Sequence, residues 1–572
     1  MIKSYIDAAI SRNQCDIVLK NARFVDVFCG KVRKGDIAIK DDRIVGIGKY
    51  RAKQVYDLSG KYVLPGFIDA HVHIESSKLS PEGFASLVVP RGTTTVIADP
   101  HEITNVCGED GAKYIAKAAE NTPLDVKVML PSCVPATPFE TSGATLSDGD
   151  ISRLIAENTF FGLGEFMNYP AVIAGDGEAL AKLEAAQNTG KPVDGHAPMV
   201  HGKQLNAYLC GGITTDHECE GKKEIEEKLS KGMYVMLRHG STARNLQTNV
   251  KAVNAKNYRR FLMCTDDRHA ADITEFGHID DALRTAVAAG LDPVKAVTIA
   301  TLNAAECYGL KWRGAVAPFY FADLAVVDDL QSFNVTHVFK NGKLVAENGK
   351  PLFDIREKYI PLCVKDTVHI KTVTADDFKI ALKGSRAKVI TIEGGSIVTG
   401  CEIAEVPSLN GDVSIDNMQI LKLAVVERHG KNGNIGLGLL KGYGFHGGAI
   451  GLTVAHDSHN MVIVGDDNRS MAKLAHELAR IGGGMAVYDR KQDEMLSVPL
   501  DIGGLMSSDD PDNLVAASEN IYARAYVMGV KPDVDAYLSL AFMSLGVIPH
   551  LKLLDTGLFD VDKFALTDIN AD

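Results

Sequence analysis

Between positions 62 and 266 the chain repeats one pattern eight times: a short apolar run stops at a polar or sulfur-bearing residue, and a helix-like stretch follows. The runs are VLPGFIDAHVH, TTTVIADPHE, VKVMLPSCVP, FFGLGEF, KPVDGHAP, GITTDHE, MYVMLRHGS and RRFLMCTDD. Their polar ends fall near positions 73, 101, 133, 165, 196, 217, 239 and 266. Each interval holds one strand, one helix and their loops, so the connections are of the βαβ kind. Eight parallel strands in about 250 residues predict a (β/α)8, TIM-like barrel, whose chemistry belongs at the C-terminal ends of the strands.

The flanks read differently. DIVLK, ARFVDVF, DIAIK and RIVGIG, within residues 16–61, are short strands separated by Gly and Asp-Asp turns. Residues 323–350 resume that style, and Asn341-Gly342 between apolar residues marks a hairpin. We therefore expect an α/β chain of three parts. Residues 1–61 and 311–360 form a small β-sandwich built from both sides of the barrel, 62–310 the barrel, and 361–572 a C-terminal α+β domain. The last part mixes strand-like AKVITIEGG and NMVIVGDD with helix-like SMAKLAHELARIGGG, with a helix end expected near Gly483.

Charge and composition narrow the function classes. A net charge of −12 gives no electrostatic case for nucleic acid. The longest nearly apolar run, Ala536 to Pro549, is too short to cross a bilayer. The first residues lack an apolar signal core, so the expected location is cytoplasmic. None of the ten cysteines forms a CxxC pair, which argues against a Cys-rich zinc site.

The chemistry lies at the run ends. His71 and His73 stand two apart, and alternate strand residues share a face. Glu165, His196, His217 and Asp266 end four later runs. Four histidines and two carboxylates form a ligand set for two divalent ions bridged by a carboxylate, suited to zinc, manganese or iron. Asp266 is either a ligand alone or also a carrier of the water proton. Asp267 either shares that work or caps a helix. His101 and Glu102 either contact substrate or pair within the core. Arg238 either binds substrate or pairs with acids. His456, Asp457 and His459, in AHDSHN, are a metal site, a cover for the active site, or a surface turn.

The HxH run and the later ligand positions resemble the amidohydrolase superfamily. PGFIDAHVHIESS, ADPHEITNV, GEFMNYP, GHAP, TDHE, TDDR and the C-terminal AHDSHN are similar to bacterial adenine deaminases, and the likeness covers nearly the whole chain. That resemblance implies hydrolysis of adenine to hypoxanthine and ammonia. It implies two divalent ions, manganese or iron with zinc as the alternative, held by His71, His73, Glu165, His196, His217 and Asp266. Glu165 would bridge them where many relatives carry a modified lysine. A metal-activated water would attack C6, with Asp266 moving the proton, assisted by Asp267, and His101 donating to a ring nitrogen. Glu102 and Arg238 are further substrate-binding candidates. The expected partner is the small substrate alone, without nucleic acid or membrane, in a homo-oligomer. Competing expectations are another amidohydrolase acting on a cyclic amide or amidine, and a metal-free barrel acting by binding.

Overall fold

The computed structural model describes residues 2–571 apart from 242, 397 and 416–418. It divides into two compact units. The first takes the chain up to Pro100, then Ile115–Ser132 and Ser147–Tyr359. The second takes His101–Tyr114, Cys133–Leu146 and the chain from Ile360 onwards.

Strand alternation builds the flanking sheet of the first unit. Ile17 and Leu19 pack in one buried cluster with Phe24, Ile39, Leu324 and Phe339. Val18, between them, packs on the other face with Tyr5 and Ala8 of the helix Ile2–Ala9. The two ends of the sequence meet where Tyr62–Pro65 pairs antiparallel with Leu324–Val327. One mixed sheet of nine strands results. At its far hairpin, Val335–Lys340 and Lys343–Glu347 are joined by Asn341-Gly342, both at positive φ (48° and 75°), as a two-residue turn of this hand requires.

The barrel strands are β1 Phe67–Val72, β2 Thr93–Ala98, β3 Asp125–Leu130, β4 Gly162–Phe166, β5 Val193–Gly195, β6 Thr215–Asp216, β7 Tyr234–Arg238 and β8 Phe261–Cys264. β1 to β5 form one parallel sheet, and β6 to β8 another. Two joints link them into a ring. At one, Thr214 N–H reaches the Val193 carbonyl at 3.4 Å, and Gly195 N–H reaches Thr215 Oγ1 at 3.1 Å. At the other, Asp266 N–H bonds the His71 carbonyl at 2.9 Å, and His73 N–H bonds the Asp266 carbonyl at 3.1 Å. The expected TIM-like barrel is present. Its β1 carries an extra residue against β2, since Asp69 pairs Val96 while Val72 pairs Ala98. Such a bulge re-aims the side chains at a strand tip.

The second unit carries an eight-stranded sheet. Its neighbours are antiparallel except for Arg386–Ile392 beside Ile435–Lys441. The helix Asn468–Arg480 covers one face with Met471, Leu474, Ala475 and Leu478, a stripe at helical spacing that packs on Ala424, Ala449 and Ile463. Asp467 caps its start by accepting the Ser470 N–H. Among the described residues no helix is long and apolar enough to cross a membrane.

Candidate metal centre

The predicted tip residues of the barrel converge. Glu165 is the penultimate residue of β4, with its backbone gripped on both sides. Asp99 accepts its N–H at 2.8 Å, and the Ser132 hydroxyl donates to its carbonyl at 2.6 Å. The close approach needs glycine at the preceding position: a Cβ on Gly164 would lie 2.2 Å from Asp99 Oδ2.

The carboxylate held this way faces two ways. Glu165 Oε1 lies 3.4 Å from His73 Nε2 and 3.7 Å from His71 Nε2. Oε2 lies 2.8 Å from His196 Nδ1 and 3.3 Å from His217 Nε2. Asp266 Oδ1 completes the first half, 3.1 Å from His73 Nε2 and 3.4 Å from His71 Nε2. The ligand atoms of His71, His73 and Asp266 lie within 4.8 Å of one another, as do those of His71, Glu165 and His217. His73 is oriented from behind, its Nδ1 2.8 Å from the Asp99 carbonyl, which leaves Nε2 for the centre.

The electrostatics follow from burial and pairing. Burial works against the charge on Asp266, but the Arg238 guanidinium and the His71 and His73 imidazoles outweigh it and hold the group well below the carboxylate range. Burial likewise opposes Glu165, and His196, His217 and His73 overcome it. Burial lowers His217, yet Glu165 at its ring pushes it up to about 9.

The donor set fits a divalent cation. His71 is wholly buried, and neither of its ring nitrogens makes a hydrogen bond among the described residues. Its ring stacks on that of His217, with centroids 4.2 Å apart. A wholly buried imidazole with both nitrogens unbonded is costly unless a cation takes a lone pair.

Arg238, Asp267 and Glu102 have side-chain partners of their own. Arg238 forks onto Glu218, with Nη2 3.0 Å from Oε2 and Nη1 bonded to Oε1, and Nη1 also reaches Asp266 Oδ2 at 2.9 Å. Asp267 accepts the Ser76 hydroxyl, while the helix that follows starts at Ala270 after His269. His101 is buried and opens the helical segment His101–Ala119, three residues past the end of β2, and its residues up to Tyr114 group with the second unit. Glu102 stands in that unit with His456 Nδ1 2.7 Å from Oε1 and His459 Nε2 bonded to Oε2. The Ala455 N–H donates to His459 Nδ1 at 3.1 Å, which puts that ring's proton on Nε2, aimed at Glu102. A cation at Nε2 would leave the ring without a proton, so these residues form a hydrogen-bonded cluster.

Two site residues had no sequence signal. Glu218 Oε1 lies 3.5 Å from His217 Nε2 and 3.9 Å from His196 Nδ1. Asp99 supports both Glu165 and His73.

The sequence model of the Amidohydrolase family matches residues 62–345, the barrel and part of the flanking sheet, and that of the Adenine deaminase C-terminal domain matches residues 396–565. Barrel and donor set together define a metal-dependent hydrolase of the amidohydrolase kind. The chain is 46% identical to the adenine deaminase of Clostridium acetobutylicum, over 98% of this chain and 99% of that one. It is 45% identical to the adenine deaminase of Nitratidesulfovibrio vulgaris, over 100% and 99%. It is 44% identical to that of Halalkalibacterium halodurans, over 98% and 97%. The chain belongs to the adenine deaminase family.

Proposed function

We propose that the protein hydrolyses adenine to hypoxanthine and ammonia at a two-metal centre. The observation that carries the chemistry is the split Glu165 carboxylate, one oxygen turned to His71 and His73 and the other to His196 and His217. The substrate rests on the names of the full-length relatives.

His71, His73 and Asp266 would hold one ion, His196 and His217 the other, with Glu165 between them. Manganese or iron is our choice, with zinc as the alternative, because mixed imidazole and carboxylate donors suit all three. Bound ions would supply an activated water at neutral pH and stabilise developing negative charge. The chain's own part is proton traffic and orientation. Asp266 is kept ionised by Arg238, so it can accept a proton from water as oxygen adds to C6 of adenine. The same proton then leaves with the exocyclic amine as ammonia, the proton remaining on the added oxygen passes to N1, and the C6 carbonyl of hypoxanthine forms. Ser76 holds Asp267 beside it, placing a second carboxylate next to Asp266 in the chain. On the sequence pattern ADPHE alone, His101 is assigned to a purine ring nitrogen. We also read the nine-stranded sheet as the β-sandwich of residues 1–61 and 311–360, on the strength of its shared inner cluster.

The test is ammonia release from adenine by metal-stripped protein reloaded separately with manganese, iron and zinc, with elemental analysis of each sample. Turnover that rises with about two metals per chain is the expected result. Two bound metals without adenine turnover would discard the substrate and point to another cyclic amidine or amide.

A further inference from the structure

We propose that Lys228 is a positioning residue for the metal centre, fixing His196 and His217 relative to each other from behind the strand tips. The inference rests on the two-metal reading of the site.

Lys228 lies on the helix Lys222–Ser230, which follows β6, and is fully buried. Its ammonium has three protons and three acceptors: the Ala197 carbonyl at 2.6 Å, Asp216 Oδ2 at 2.7 Å and Glu224 Oε1 at 2.7 Å. Each acceptor belongs to a segment that carries a site histidine or locks one in place. Asp216 Oδ1 takes the Ala197 N–H at 2.9 Å, so both polar groups of the residue after His196 are tied to one ion pair. Asp216 itself immediately precedes His217. Glu224 Oε1 also takes the Met199 N–H, and its Oε2 the Glu220 N–H, each at 2.9 Å. One buried network thus joins the loop 196–199 after β5 to the loop 216–220 after β6.

β5 has three residues and β6 only two, so little ladder is left to set these tips. The pairing of His196 and His217 on one Glu165 oxygen therefore depends on the network behind them. Among the described residues Lys228 is the only cation paired with Asp216 or with Glu224. Without it, two buried carboxylates would be left unneutralised, and the Ala197 carbonyl would keep only the longer bond, 3.4 Å, from the Val200 N–H. Groups that orient metal ligands from behind typically change metal affinity by about 10–100-fold.

The experiment is a calorimetric titration of metal-stripped full-length protein with manganese, run beside thermal unfolding and adenine kinetics. Wild type is compared with Lys228→Met, Lys228→Arg and Glu224→Gln. We expect two binding events in wild type. In Lys228→Met one event should keep its affinity and the other weaken by about 10–100-fold. Its kcat should recover at saturating manganese with KM for adenine unchanged, and Lys228→Arg should restore part of the lost affinity. Unchanged binding of both ions, with only a lower unfolding temperature, would overturn the proposal. If Lys228→Met does not fold, Glu224→Gln is decisive: a weakened second event supports the proposal, and an unchanged one overturns it. Fewer than two events in wild type would overturn the two-metal reading and this proposal with it.

Discussion

Glu165 faces four imidazoles with two oxygens, so one substitution tests both halves of the centre. Glu165→Gln keeps the shape and removes the shared charge. Metal content should fall below that of wild type and kcat/KM by at least about 100-fold; elemental analysis and steady-state kinetics check it. The residues that meet here were legible because each stands at the end of an apolar run, and seven of the eight runs stop near a polar residue. Glu218 was not legible. Strand alternation turns the neighbour of an inward residue outward, but β6 ends at Asp216, and beyond it the rule no longer holds. Asp99 was hidden because it acts through a carbonyl and a buried carboxylate behind the ligands, which no spacing in sequence reveals.

Among the elements, turn chemistry was the most readable. Asn-Gly demands two left-handed residues, and both are found at Asn341-Gly342. A Cβ on Gly342 would also lie 2.0 Å from the Asp41 carbonyl. Gly342→Ala should therefore destabilise the first unit by at least about 1 kcal/mol, seen as a lower thermal midpoint with metal binding retained. Strand ends were less readable. The second run extends in sequence to His101, yet β2 stops at Ala98, because Pro100 and His101 already belong to a helix start. The bulge between Asp69 and Val72 has no signature in a uniformly buried strand, although His71 lies within it and His73 follows directly after.

On the scale of the whole molecule, rhythm along the chain identified the barrel and the change of style after it. It gave no sign that residues 101–114 and 133–146 group with 360–572. Helical pattern shows that a segment has an apolar face but not which core receives it. The second unit also makes a pH prediction. Lys552 is buried, and burial lowers its pKa to about 7; its ammonium donates to the Phe542 carbonyl at 3.0 Å. An unfolded lysine titrates near 10.4. Between about pH 7 and 10 the unfolded chain therefore binds more protons at this residue, and stability rises with pH, by at most about 1.4 kcal/mol per pH unit. Below about pH 7 the penalty of the buried charge is complete. Lys552→Met should flatten that slope, as measured by denaturant midpoints at pH 7, 8 and 9.

The cluster of Glu102 with His456 and His459 gives biosynthesis a waiting time. Glu102 leaves the ribosome 357 residues ahead of His459. At about 5–20 residues per second, that separation is on the order of tens of seconds. Throughout that interval the nascent chain carries a carboxylate whose imidazole donors have not yet been made. Water must serve it until His456 and His459 emerge, so this cluster closes only after about four-fifths of these 572 residues have been made.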